Sequence, residues 1–294
     1  MNKAIKTIVL ASFLLAMIGC SSDDSSKEPK GPEGPVYEDL YLVSSIESKH
    51  YREDEIMHED GTVERAAIHD YTVNLNFVYD DNLNLSDATN KMTFYNDGQI
   101  VSTSQGKIEH KLNEKNQLIS LLLTGGNMFN DSFVYTYQDD LLKKYNSLGE
   151  YGNYEHLFTH NAQKQFTNSS LEPQNLEFTY TYNNKNQLAG IKNTAQTKPM
   201  QIEYDNQNNP FKYLPFDLTT VLFDEIKYMP LSYIFPNNIT YTKASDDFLF
   251  KIAYTYNEAN FPLTAKISSE DEGKKSLEQE LFYTYTVKKV EVKK

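Results

Sequence analysis

Tyr180-Thr181-Tyr182-Asn183-Asn184-Lys185-Asn186-Gln187-Leu188 is the unit on which the reading of this chain turns. Phe178, Tyr180 and Tyr182 alternate with Thr179 and Thr181, the period-two pattern of a strand with one apolar face. Aromatics and threonines also suit a pleated surface. Asn183 can close an Asx-type turn, and Asn186 tolerates the left-handed backbone that a hairpin loop of this length needs. Leu188 to Lys192 then returns as the partner strand. The pattern predicts Tyr180 and Tyr182 pointing inward and Thr179 and Thr181 outward, because a one-residue slip would expose the whole apolar set.

The unit recurs. Copies are Leu112-Asn113 with Asn116 and Leu118, His160-Asn161 with Phe166, Tyr204-Asp205 with Asn208 and Pro210, and Tyr256-Asn257 with Asn260 and Pro262. Tyr137-Gln138 with Leu142 is a residue shorter, and Tyr79-Asp80 with Leu85 and Tyr95-Asn96 with Gly98 are looser. Successive corners at 113, 138, 161, 183 and 205 are 22 to 25 residues apart, one hairpin each, which marks a repeat architecture. The expected fold is all-β: one large curved antiparallel meander sheet, half-barrel or porin-like, built of hairpins. Its named corner residues are Tyr182, Asn183, Asn186, Tyr204, Asp205, Asn208, Tyr256, Asn257 and Asn260.

Ahead of the repeats, Met1 to Cys20 reads as a targeting segment, with Lys3 and Lys6, an apolar run from Ile8 to Ile18, and Gly19 before Cys20. The run is short for a bilayer-spanning helix. Cys20 is the only cysteine, so no internal disulfide is possible. The segment resembles the lipobox of bacterial lipoproteins, with Cys20 as the acylated residue; Met17 stands where Leu is usual. Ser21 to Pro35 has no apolar side chain and reads as a disordered tether through residue 36. Its Ser21-Ser22-Asp23-Asp24 run resembles the acidic export tag of Bacteroidetes surface lipoproteins. Residues 37–294 are expected to form a single β-repeat domain.

One segment breaks the rhythm. The corners at 205 and 257 are 52 residues apart, about two periods. Between them Leu218, Val221, Leu222, Ile226 and Met229 fall at helical spacing, with Asp217 as a candidate N-cap. A short apolar helix at 216–229, buried against the sheet, is expected.

The aromatic-Asn/Asp corners are similar to the YD-type repeats of RHS-like bacterial proteins. The mature chain resembles a family of Bacteroidetes surface lipoproteins with a porin-like fold. There a block like Tyr204-Asp205…Asn209-Pro210-Phe211, an apolar insert and then Asn237-Asn238-Ile239 recurs. The resemblance implies a porin-like fold and an outer-membrane lipid anchor; its motifs specify turns and imply no chemistry.

The residues themselves point away from catalysis. There is no Gly-rich phosphate loop, nucleophile elbow or His-Glu-x-x-His. His156 and His160 would lie about 13 Å apart along a strand, too far to share a metal, and read as solvated. Asp80, Asn82, Asn84 and Asp87 begin like a calcium loop, but Leu85 and Lys91 replace the needed Gly and Glu. Glu53-Asp54-Glu55 reads as a solvated loop. No catalytic residue, metal site or cofactor is expected, and a net charge of −13 argues against nucleic acid. The function expected is a non-catalytic binding or scaffolding lipoprotein of the outer membrane, facing the exterior, for glycan or protein. The alternative is a carrier of an apolar ligand in a half-barrel covered by residues 216–235.

Overall fold

The computed structural model describes residues 36–125, 130–149, 152–222, 229–243, 248–271 and 273–292. Contacts set Asp39–Val290 apart as the compact body of the molecule. Its strands follow one another in chain order. They are β1 (Val36–Met57), β2 (Val63–Tyr79), β3 (Leu85–Asn96), β4 (Gln99–Leu112), β5 (Leu118–Thr124), β6 (Asp131–Gln138), β7 (Leu141–Gly149) and β8 (Gly152–His160). Then come β9 (Phe166–Glu172), β10 (Leu176–Tyr182), β11 (Leu188–Asn193), β12 (Met200–Tyr204), β13 (Ile239–Lys243), β14 (Phe248–Tyr256), β15 (Pro262–Asp271) and β16 (Lys274–Val292).

Each strand pairs with its neighbours in sequence, and β1 meets β16 to close a sixteen-stranded barrel. The half-barrel expectation is thereby corrected. Closure removes the sheet edges that an open meander would leave unpaired. The seam is held partly by side chains: the Tyr51 hydroxyl donates to Glu280 at 2.7 Å, and Gln279 Nε2 donates to Ser48 Oγ at 2.6 Å.

The alternation read from Phe178 to Tyr182 sets the polarity of the wall. Phe178 and Tyr180 are buried, Tyr182 packs against the core, and Thr179 and Thr181 face solvent. The same holds around the barrel, where Val73, Leu75 and Phe77 of β2, Leu121 and Leu123 of β5 and Ile252 of β14 share one interior core. Outward positions carry ion pairs instead: Lys144–Glu155 at 2.9 Å, Lys251–Glu270 at 3.1 Å and Lys266–Glu280 at 3.5 Å. The interior is apolar and the outer wall mixed, with exposed Val78, Ile100, Leu122, Val134 and Phe282 among the charges; a lipid-facing barrel instead has a polar interior behind a continuous apolar band.

Barrels of sixteen strands commonly leave an open lumen. Here the segment between β12 and β13 turns inward and fills space, burying Phe211, Phe216, Leu218, Leu231 and Phe235. Its one described helix is α1 (Thr219–Leu222), a single turn. The longer helix expected over 216–229 is thus shortened at its start, and residues 223–228 lie outside the described residues. The segment reaches far across the interior. Phe216 meets His110 of β4 with ring centroids 5.8 Å apart, and Tyr233 meets Phe166 of β9 at the same distance. It fills a closed barrel, where the sequence suggested a cover for an open concave face.

Two expectations about single residues change as well. His156 is 1% exposed, because it shares the inward face with Phe158; it is a core residue, not a solvated one. Glu53-Asp54-Glu55 belongs to β1 and remains exposed, with Arg65 of β2 pairing Glu53 at 3.5 Å and Glu55 at 3.0 Å.

Candidate functional site

The corners hold most of the residues the sequence singles out. At Asn183 the amide N–H donates to Gln187 O, and Asn186 N–H donates to Asn183 O. Asn183 Oδ1 accepts from the amides of Lys185 and Gln187, at 2.9 and 3.0 Å, and Asn186 takes the left-handed backbone with φ of 61°. Asn113, Asn161 and Asn257 repeat this geometry, with Asn116, Lys164 and Asn260 at positive φ. Asp80 does the same with Asn82 and Asn84, so the calcium-like spacing serves a turn. The shorter corner after Tyr137 is a two-residue turn with Asp139 and Asp140 both at positive φ.

In an antiparallel meander these corners all fall at one end of the barrel, the end at which Asp39 starts and Val290 finishes. The Asp97-Gly98 turn, with φ of 50° and 74°, lies at the other end. The register shifts by one residue at Tyr79, Tyr137, Tyr182, Tyr204 and Tyr256, just before their corners. Tyrosine hydroxyls then tie three of the repeats to the one before. Tyr137, Tyr254 and Tyr285 donate to the carbonyls of Leu118, Ile239 and Pro262, each the first residue after the preceding corner.

Neighbouring corners also touch. Lys185 Nζ donates to Asn206 Oδ1, Gln187 Nε2 to Asn237 Oδ1, Tyr256 to Asp205 Oδ2, and Asn208 Nδ2 to Ala259 O. The Asn and Asp residues of these corners therefore form a polar rim whose bonds go to backbone and to neighbouring turns, while the hydroxyls of Tyr182 and Tyr204 lie buried without a hydrogen-bond partner among the described residues. That bonding is the signature of turns. Cys20 lies outside the described residues.

Within the insert, the residue read from the sequence as a candidate N-cap is a buried carboxylate. Asp217 is fully buried and accepts from Thr219 N–H and hydroxyl, Asn209 Nδ2 and Phe235 N–H. Burial pushes its carboxyl up to about 6, against the opposing pull of those hydrogen bonds. A second buried network runs across the wall. His156 Nδ1 meets the Tyr145 hydroxyl at 2.9 Å, His156 Nε2 meets Ser169 Oγ at 3.1 Å, and Ser169 Oγ meets the Tyr180 hydroxyl at 2.7 Å. Both are enclosed among apolar side chains and hold the interior together. Among the described residues no three His, Cys, Asp or Glu side chains cluster as a metal site would need.

Accessible chemistry is on the outer wall. A concave surface of about 800 Å³ lies over β8–β11. Two cross-strand rows build it: Leu157, Ser170 and Glu177, then Thr159, Asn168, Thr179 and Lys192. Thr194 and Gln196 of the β11–β12 connection complete it. It offers hydroxyls, amides, one carboxylate and one ammonium, suited to hydrogen bonding with a polyhydroxyl or amide chain. The sequence showed these only as the polar half of the alternation; their gathering on four strands depends on register.

Comparison with family models and with curated proteins finds no match. Solved structures do match. The fold is similar to a porin-like protein from Bacteroides uniformis ATCC 8492, at 15% identity and TM-score 0.50, over 83% of this chain and 96% of that one. A porin-like protein from Bacteroides vulgatus ATCC 8482 matches at 11% identity and TM-score 0.32, over 84% and 99%. At such identity the first likeness establishes the porin-like fold alone.

Proposed function

We propose that this chain is a lipid-anchored, non-catalytic binding module of the bacterial outer membrane that takes its ligand, glycan or protein, on the outside of the barrel. The observation that carries the reading is the polarity of the wall. The interior is packed with aromatic and aliphatic side chains and with the 205–238 insert, while the outward face carries charge pairs and a polar groove. A channel needs an open lumen and an apolar exterior, and an apolar-ligand carrier needs interior space. A module that binds on its exterior needs neither. Acylation at Cys20 would provide the anchor, since more than one chain gives stable attachment, and the Ser21–Asp24 run would fit display at the cell exterior.

The test has two arms. Cys20→Ala is expected to move the protein from the membrane to the soluble fraction, and added protease is expected to cleave the wild type on intact cells. Persistence of the mutant in salt-washed membranes would overturn the anchor. For the site, arrays of glycans and peptides are probed with wild type and with Thr179→Arg, which fills the groove. At least one ligand should lose about tenfold or more in affinity, about 1.4 kcal/mol. Equal binding throughout would put the site elsewhere.

A further inference from the structure

The groove over β8–β11 has a direction. Leu157, Ser170 and Glu177 form one cross-strand row, and Thr159, Asn168, Thr179 and Lys192 form the next, two residues away along each strand. The two rows differ in the groups they leave open. In the second, Thr179 Oγ1 donates to Asn168 Oδ1 at 3.4 Å, and Asn168 Nδ2 remains a donor without a partner among the described residues. In the first, Glu177 is held through its backbone. Its N–H donates to Thr194 Oγ1 at 3.4 Å and its carbonyl accepts from Thr194 N–H at 3.0 Å. Its carboxylate has no partner among the described residues. Leu157 begins the same row on β8 and is 41% exposed.

An open donor on β9 thus stands diagonally from an open acceptor on β10, with an apolar side chain next to them on β8. Diagonal neighbours on paired strands lie about 7–8 Å apart, and side chains rise roughly perpendicular to the sheet, so the two heads keep about that spacing. A secondary amide suits it. Its C=O and N–H point in opposite directions, and with hydrogen bonds of about 2.9 Å at each end its two partners lie about 8 Å apart. A hydroxyl donates and accepts at a single atom, which brings its partners to about 4–5 Å from each other.

We infer that the groove seats the acetamido group of an N-acetylhexosamine within a glycan. The acetamido carbonyl accepts from Asn168 Nδ2, its N–H donates to Glu177, and its methyl lies against Leu157. A trans amide sets methyl and sugar ring on opposite sides of the C–N bond. A methyl over β8 therefore sends the ring towards β11, where Lys192 and Thr194 meet its hydroxyls. This names the ligand class of the exterior groove and rests on that reading.

Titration calorimetry of the full chain tests this with hexamers of β-1,4-linked N-acetylglucosamine, α-1,4-linked N-acetylgalactosamine and β-1,4-linked glucose. At least one N-acetylated hexamer should bind saturably. The glucose hexamer, with a hydroxyl where each acetamido group would be, should bind about tenfold or more weakly. Asn168→Asp keeps the side-chain shape but turns the donor into an acceptor, and should weaken the N-acetylated hexamer about tenfold or more. Leu157→Ser should weaken it about threefold or more, and Thr179→Arg should abolish it. Urea midpoints identify a variant that fails to fold, in which case the other two decide. No saturable binding of either N-acetylated hexamer, equal binding of the glucose hexamer, or binding unchanged in Asn168→Asp and Leu157→Ser overturns the acetamido seat. If a different glycan or a peptide then loses affinity in Thr179→Arg, the exterior groove stands and this assignment alone fails. Acetamido-selective binding that survives Thr179→Arg overturns the seat and the groove together.

Discussion

Asn238 stands at Asp205 where Gln187 stands at Asn183, although 33 residues separate the first pair and four the second. Asp205 N–H donates to Asn238 O at 3.1 Å, as Asn183 N–H does to Gln187 O at 2.9 Å. Asn238 N–H returns to Asp205 Oδ1 at 3.2 Å, as Gln187 N–H returns to Asn183 Oδ1 at 3.0 Å. The insert is therefore spliced into a single corner without opening it. Of the 52 residues between the corners at 205 and 257, 29 are the displacement of position 209 to 238, and the remaining 23 are one ordinary repeat.

This makes Asp205 the more costly corner to lose. It accepts from Gln207 N–H, Asn238 N–H, Asn238 Nδ2 and the Tyr256 hydroxyl, and so joins two distant segments and a neighbouring corner. Asn183 holds only its own loop. Asp205→Ala should cost about 2–4 kcal/mol and Asn183→Ala about 1 kcal/mol, read from urea midpoints with unchanged slope. Equal costs would mean that the β12–β13 corner is held by packing of the insert alone.

Local structure was legible because each corner encodes itself within nine residues: alternation in Phe178–Tyr182 sets the faces, and Asn183 and Asn186 set the turn. Closure was not, because the contacts that make it, Tyr51 with Glu280 and Ser48 with Gln279, are 229 and 231 residues apart and follow no local pattern. His156 shows the opposite failure. Its alternation with Phe158 already places it inward, and the imidazole is polar enough to read as solvated unless that alternation is followed. The groove was hidden for a third reason. Thr159, Asn168, Thr179 and Lys192 become neighbours only through interstrand register.

Asp217 and His156 pull stability in opposite directions as pH changes. The Asp217 carboxyl is raised by burial from 3.8 to about 6, so the folded state is the better proton binder. Its contribution is fully present below about pH 4 and is lost as pH rises through about 6. Burial lowers His156 from 6.5 to about 4 and, with a smaller repulsion from His69, lowers His50 to about 4. Those contributions are present above about pH 6.5 and are lost as pH falls towards 4. Urea unfolding at pH 4.5 and 7.5 separates them. His156→Gln should lose less stability than wild type between pH 7.5 and 4.5, by roughly 1–3 kcal/mol. The deficit of Asp217→Asn should be larger at pH 4.5 than at 7.5. Deficits that do not vary with pH would show that neither group titrates as its burial requires.

The insert behaves as a fixed plug if its anchors hold, and as a movable lid if they do not. One end is fastened by Asp205 to Asn238, and its middle by Asp217 to Thr219, Asn209 and Phe235. Between these, Leu218 is 1% exposed and Phe216 is fully buried. Leu218→Asp would place a carboxylate in that packing, at a cost of roughly 3–5 kcal/mol. A plug predicts that loss, no uptake of an apolar dye by wild type, and Thr219 and Phe235 amides that exchange hydrogen as slowly as those of β10. A lid opens while the barrel stays folded, so its amides would exchange in a faster class with free energies well below global unfolding. Slow β10 exchange beside fast exchange at Phe235, with dye taken up by wild type, would refute the plug.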